Sequence, residues 1–248
     1  MKALVKQVYS DMESFAGTYG ESISKVYSSL IDYMIGFLDY TGRKNDSWSY
    51  NEEQNILFMN MTKDVVVAVE KGIEKKGWFD IFGDIFMTYM GEKGRLGQCF
   101  TPEGLAEICA KILNDIPDNY GPVMQCGSFG TRHIVNDPAC GSGRLVLAGA
   151  LELYKKFEEY PYVICEDIDS TCCKQTAINL CLHGWYGEVM CHDTLKEPDG
   201  LRFGYIINEG LHPFRGGIPT IRYSNNPNEF VGIKFWKSKK QEYDRRNN

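Results

Sequence analysis

The run Asp137–Gly143 (Asp-Pro-Ala-Cys-Gly-Ser-Gly) joins a short apolar stretch, His133–Asp137, to a helical pattern from Arg144 to Glu159. Two glycines at a strand-to-helix turn let the backbone bend sharply and approach a ligand closely. The helix start behind them offers unpaired N–H groups to a carboxylate or phosphate. Asp137, Ala139, Cys140, Gly141, Ser142 and Gly143 are therefore candidate binding residues. The pattern departs from the dinucleotide fingerprint G-x-G-x-x-G, because Val146 occupies the third glycine's place, and this argues against a nicotinamide cofactor. Glu166 and Asp167 end a second apolar run, where a carboxylate can accept hydrogen bonds from both ribose hydroxyls of a nucleoside. A third run ends in His192-Asp193-Thr194-Leu195, placing Asp193 to accept from an adenine amine. Together these strand ends describe a nucleoside-bearing ligand with a carboxylate, and S-adenosylmethionine fits that description.

The elements that must position these residues are legible in the periodicity. Strands are expected at His133–Asp137, Tyr162–Glu166, Glu188–Cys191 and Phe203–Ile207, with helices from Arg144 to Glu159 and from Ser170 to His183. Such alternation predicts an α/β, Rossmann-like fold with a parallel, doubly wound sheet, whose ligands lie beyond the carboxyl ends of the strands. Upstream, Ile23, Val26, Tyr27, Leu30, Ile31, Met34, Phe37 and Leu38 form one helical stripe. Further helices are expected over Glu52–Lys75 and Trp78–Met90. Thr101-Pro102 is a helix start, followed by an apolar face of Leu105, Ile108, Cys109, Ile112, Leu113 and Ile116. Pro117 to Thr131 reads as a Gly-rich loop. Thr220–Ser224 and Glu229–Trp236 read as an antiparallel hairpin, and Lys237, Lys239, Lys240, Arg245 and Arg246 as a basic tail interleaved with Trp236 and Tyr243. The organisation expected is a helical N-terminal domain over residues 1–95 and a Rossmann-like domain over residues 96–248.

The composition is that of a globular protein, 43% apolar and 24% charged, which excludes disorder and fibrous classes. The net charge is −6, yet the segment from Leu201 onward holds nine basic and four acidic residues. An acidic body is unlike a freestanding nucleic-acid binder. No apolar run is long enough to span a membrane. Nine cysteines without a C-x-x-C pair predict reduced thiols in a cytoplasm rather than structural zinc. The four histidines show neither metal nor triad spacing.

The stretches Phe82–Met90 (Phe-Gly-Asp-Ile-Phe-Met-Thr-Tyr-Met), Gly97–Pro102 (Gly-Gln-Cys-Phe-Thr-Pro), Asp137–Gly143, Glu166 and Ala177–Gly184 occur in one order over about residues 20 to 208. In this the chain resembles the modification subunits of type I restriction–modification systems, which are adenine-N6 DNA methyltransferases with a helical N-terminal domain. The resemblance implies that Gln98, Phe100, Thr101 and Pro102 close over the methionine part of S-adenosylmethionine, that the Asp137 loop holds its amino-acid end, and that Glu166 holds its ribose. It also implies a DNA partner met through a separate specificity subunit, in a hetero-oligomer. The family's catalytic signature, Asn/Asp-Pro-Pro-Tyr/Phe after the fourth strand, frees an adenine amine by accepting its N–H bonds and stacks on a flipped base. Here that place reads Ile207-Asn208-Glu209-Gly210-Leu211-His212-Pro213-Phe214. Asn208 is the candidate catalytic residue, without the two prolines and the adjacent aromatic. Family members continue well beyond the fourth strand, whereas 40 residues follow Asn208. Two readings follow: a site-specific DNA adenine-N6 methyltransferase, or an inactive or truncated cofactor-binding subunit that assembles with a partner.

Overall fold

The computed structural model describes residues 2–41, 50–90, 100–115, 123–196, 200–210 and 217–247. Helices α1 (Lys2–Tyr19), α2 (Ile23–Leu38), α3 (Glu52–Lys76) and α4 (Ile81–Ile85), the last running into a π-helical turn over Phe86–Met90, precede α5 (Glu103–Asn114). The sheet contains β1 (Val123–Gln125), β2 (Thr131–Asp137), β3 (Tyr162–Asp167), β4 (Tyr186–Cys191), β5 (Phe203–Ile207) and β6 (Ile221–Ser224). Helix α6 (Arg144–Phe157) follows β2, α7 (Ser170–Leu182) follows β3, and α8 (Val231–Asn247) follows β6. The Rossmann-like expectation is met in the βαβαβ unit from β2 to β4, whose three strands are parallel.

The sheet as a whole departs from a doubly wound parallel one. Its spatial order follows the chain, β1 to β6, and β1, β5 and β6 all join antiparallel. The cause is connection length. A parallel return needs a crossover of a dozen or more residues, usually helical, and only Cys191 to Phe203 separates β4 from β5. The chain turns back instead, and no reversal of strand order arises. Part of the stretch read as loop supplies β1, which forms a hairpin with β2.

One face of the sheet is covered by α6 and α7, with the N-terminal helices behind them in one continuous core. Tyr27 of α2 accepts from Gln175 of α7 at 2.8 Å and donates to the Phe82 carbonyl at 3.1 Å. Lys174 of α7 pairs with Asp32 of α2. His183, just past α7, accepts the Phe79 N–H on Nε2 at 2.9 Å and meets the Asn179 carbonyl through Nδ1 at 2.6 Å. Burial pushes its pKa down to about 4, so it is neutral at pH 7. Helix α5 corrects its expected face: Ala106 and Ala110 are buried, whereas Leu105, Ile108 and Ile112 are exposed. Small side chains allow α5 to lie close on α6.

The opposite face is covered by α8, where a second strand had been expected. Asn226 caps a short turn at Pro227–Glu229, then Phe230 and Ile233 bury themselves against Ile164, Met190 and Ile206. Glu188 of β4 fixes the helix start. Its carboxylate accepts the Val231 and Gly232 N–H groups at 2.8 and 2.6 Å and the Tyr162 hydroxyl at 3.0 Å. A fully buried carboxylate thus serves the orphan donors of a helix from a neighbouring strand.

Burial raises the Glu188 pKa to about 7, against the lowering effect of its three hydrogen bonds. Its contribution to stability is greatest below the unfolded value near 4.5 and declines as pH rises through 7. His183 has the opposite sign: its contribution grows as pH rises from about 4 to 6.5. Each is on the order of 3 kcal/mol, and the two offset in the wild type. Glu188→Gln should therefore leave the His183 slope exposed, with stability rising from pH 4.5 to 6.5 in denaturant titrations. A variant with the wild-type profile would show that Glu188 is not the compensating group.

Candidate cofactor site

The Gly-rich loop is held from three sides. Gly141 and Gly143 have φ of +56° and +87°, conformations that an L side chain rarely adopts. A Cβ on Gly141 would also press on the Phe100 ring at 3.0 Å. Asp167 at the end of β3 accepts the Gly141 N–H at 2.9 Å, and the Thr176 hydroxyl of α7 donates to the Gly141 carbonyl at 2.8 Å. From the N-terminal side comes Asp80, the cap of α4, with a side chain fully buried. One of its oxygens accepts from Ser142 Oγ at 2.5 Å and Arg144 Nε at 2.9 Å. The other accepts from the Gly83 N–H and from Asn179 Nδ2, each at 2.9 Å. Arg144 also reaches Asp84 at 2.5 Å and the Thr101 carbonyl at 3.2 Å. Burial works against its charge, but Asp80 and Asp84 more than offset this and raise its pKa.

A cavity of about 280 Å³ opens above the loop, lined among others by Phe100, Thr101, Ala139, Gly141, Asp167 and Cys172. Helix α6 begins at its rim, with Gly143 at the N-cap and no side-chain cap. The amide end of α6 is therefore left without a side-chain cap where Ser142, Arg144 and Leu145 line the cavity. The Asp167 carboxylate lines this cavity, whereas Asp137, at the end of β2, is not among its lining residues. Asp167 keeps spare acceptor capacity beyond its bonds to Gly141 and Asp169. Asp137 binds the Ala139 N–H through Oδ1 at 3.0 Å, and its Oδ2 is buried without a partner among the described residues. Burial raises the pKa of Asp137, and Asp167 and Glu166 add to the rise against the Ala139 bond.

The other expected site residues divide. Cys140 and Ser142 line the cavity, although the Ser142 hydroxyl is taken by Asp80. Pro102 lies just before α5, and its carbonyl accepts from Leu105 and Ala106. Gln98 falls outside the described residues. Glu166 does not line this cavity; it turns to the other sheet face and binds His192 Nε2 at 2.7 Å. Asp193 caps the turn at Leu195 and pairs with Lys196, and it lines neither cavity.

Asn208 is not brought to the site at all. Because β5 runs antiparallel, its end at Ile207 lies beside Gly187, at the start of β4. Four residues of strand separate that point from Cys191 at the other end of β4, roughly 13 Å at about 3.3 Å per residue. Its backbone is left-handed, φ +57°, which Asn tolerates better than most residues. Its amide donates to the Cys181 and Trp185 carbonyls, and its carbonyl accepts the Thr220 N–H. Sequence reading missed Asp80, Arg144 and Asn179. The signal present was the coincidence of polar residues inside apolar runs, since a buried charge implies a partner.

The family model for N-6 DNA methylases matches residues 78–209, just over half of the chain. The chain belongs to the N-6 DNA methylase family. The match begins beside Asp80 and ends at Glu209, so it takes in the whole knot around Arg144. The solved methyltransferase subunit of a type I restriction–modification system from Streptococcus thermophilus is 18% identical, with a TM-score of 0.40. The alignment covers 79% of this chain and 39% of that one. No curated protein matches the sequence. Among the described residues no helix is long and apolar enough to cross a membrane, and no cluster of His, Cys, Asp or Glu is arranged to hold a metal ion.

Two substitutions test the framework. Asp80→Ala leaves Arg144 buried with only Asp84, at a cost of about 3–5 kcal/mol, read as a lowered urea midpoint. Asn208→Ala leaves the Trp185 carbonyl and the Thr220 N–H without their side-chain partner, while the Cys181 carbonyl keeps the Gly184 N–H, and should cost about 1–3 kcal/mol, with affinity for cofactor in the folded fraction unchanged. A neutral Asn208→Ala would remove its structural assignment.

Proposed function

We propose that the chain is the cofactor-binding part of a DNA adenine-N6 methyltransferase and takes the amino-acid end of S-adenosylmethionine in the cavity above Gly141. The observation that carries this is a helix start without a side-chain cap beside the Asp167 carboxylate in the cavity wall. A zwitterion presents a carboxylate and an ammonium, and the α6 amides suit the first while Asp167 suits the second, with Asp137 at the start of the loop as a further carboxylate near it in sequence. Phe100 and Thr101 line the same cavity. The cofactor would supply a sulfonium methyl group; the chain's residues bind and orient it. Family membership supports adenine N6 in DNA as the acceptor. The proposal includes assembly with other subunits of a restriction–modification system, met in the cytoplasm.

A second reading is favoured by Asn208. Its side chain is consumed by backbone groups at the far end of the sheet, so it does not hold an adenine amine at this cavity. On that reading the chain binds the cofactor and the acceptor-holding groups come from a partner.

Calorimetric titration with S-adenosylmethionine should show one site. Asp137→Asn and Asp167→Asn should each weaken it about tenfold or more, as expected for a lost charge-assisted contact, whereas Glu166→Gln should leave it within a few-fold. Loss of binding in Glu166→Gln alone would move the cofactor to the other sheet face. Transfer of labelled methyl groups to unmethylated DNA, by the chain alone and with a candidate partner subunit, separates the two readings.

A further inference from the structure

A second cavity, of about 420 Å³, lies on the α8 face of the sheet. Its wall is a stripe of α8: Ile233, Trp236, Lys240 and Tyr243 recur at helical spacing, with Lys239 beside them. Its floor is Met190 with the buried pair Glu166–His192, and Lys196 closes it from the segment after β4. Three lysines thus gather at one concave site of a chain whose net charge is −6. Lys196 and Lys239 have exposed carboxylate partners, Asp193 at 3.3 Å and Glu242 at 3.1 Å, and such pairs exchange readily. Trp236 and Tyr243 are 46% and 67% exposed, which places aromatic surface at the cavity wall. His192 is 5% exposed, and its Nδ1 has no hydrogen-bond partner among the described residues. A buried polar atom at a cavity wall calls for a polar partner.

We propose that this cavity is a nucleoside phosphate site. Its features combine three recognition chemistries: aromatic faces for a base, ammonium groups for phosphates and a buried imidazole nitrogen for a polar edge. The enclosed volume is that of a small-molecule pocket. The site does not depend on the methyltransferase reading, because S-adenosylmethionine carries no phosphate and its proposed amino-acid cavity lies on the other side of β3.

The test is calorimetric titration of the full chain with ATP at low salt, repeated with inorganic triphosphate, S-adenosylmethionine and a short duplex DNA. One saturable ATP site is expected, weakened about tenfold by Trp236→Ala and by Lys239→Ala with Lys240→Ala, but little changed by Trp236→Phe. All three variants change exposed side chains of α8, and circular dichroism verifies their fold. ATP binding should survive saturation with S-adenosylmethionine. Four results each overturn the proposal: no saturable ATP binding, indifference to these substitutions, displacement by S-adenosylmethionine, or equal affinity for triphosphate alone. Duplex DNA binding through the same lysines without ATP binding would likewise replace it with a nucleic-acid contact.

Discussion

A carboxylate in a protein interior must be surrounded by donors or give up its charge, and Asp80 is surrounded by four. They come from four places in the chain: the Gly83 amide of α4, Ser142 of the loop, Arg144 of α6 and Asn179 of α7. The pair it makes with Arg144 is no large source of stability in itself, since desolvation consumes much of the attraction. Its effect is positional. Losing any one donor leaves the buried carboxylate under-satisfied, so the loop beneath the cavity is held in place while α4 is docked. Gly83 shows how tight the knot is: a Cβ there would fall 2.0 Å from an Asp80 oxygen. The α4 region is therefore part of the Gly-rich loop's support, and the family match beginning at residue 78 includes that support.

Period-two geometry explains how one short strand end serves two cavities. Successive side chains of β3 point to opposite faces, so Asp167 joins the Gly-loop side and Glu166 the α8 side. The pair Glu-Asp in the sequence thus reads as a single acidic site when it is two. Glu166 then cannot stand by the Gly141 loop, and its charge is matched by His192 instead. Glu188, two residues before Met190 on the same face of β4, does analogous work at the α8 start. Each face has a buried carboxylate that docks a helix: Asp80 on one, Glu188 on the other.

Local pattern and tertiary demand separate cleanly here. The strands Tyr162–Asp167 and Phe203–Ile207 and the helices after β2 and β3 follow from periodicity and lie where it puts them, to within a residue or two. Strand direction was not local information; it depended on the eleven residues after Cys191 being too few for a crossover. The α5 face was misjudged because Leu105, Ile108 and Ile112 outweigh Ala106 and Ala110 in hydrophobicity, while close helix packing rewards small size. The helix at Val231–Asn247 had an alternating start that suits a strand. What decides it is Glu188, 43 residues away in sequence from Val231, together with burial of Phe230 and Ile233. The Gly loop was legible because its chemistry is backbone chemistry; the knot beneath it was not, because its members are far apart.

The direction of β5 has one more consequence. In the parallel core the carboxyl ends of β2, β3 and β4 gather at one edge, and β5 contributes only its start, Phe203, to that edge. The residue after β5 then sits among the Cys181 and Trp185 carbonyls and fills a left-handed turn with hydrogen bonds. Asn meets that demand as well as it meets the demand of holding an adenine amine, since both need one acceptor and one planar amide. The same residue type at the same sequence position is thus compatible with two roles. Strand polarity decides between them, and in this sheet it gives Asn208 the structural one.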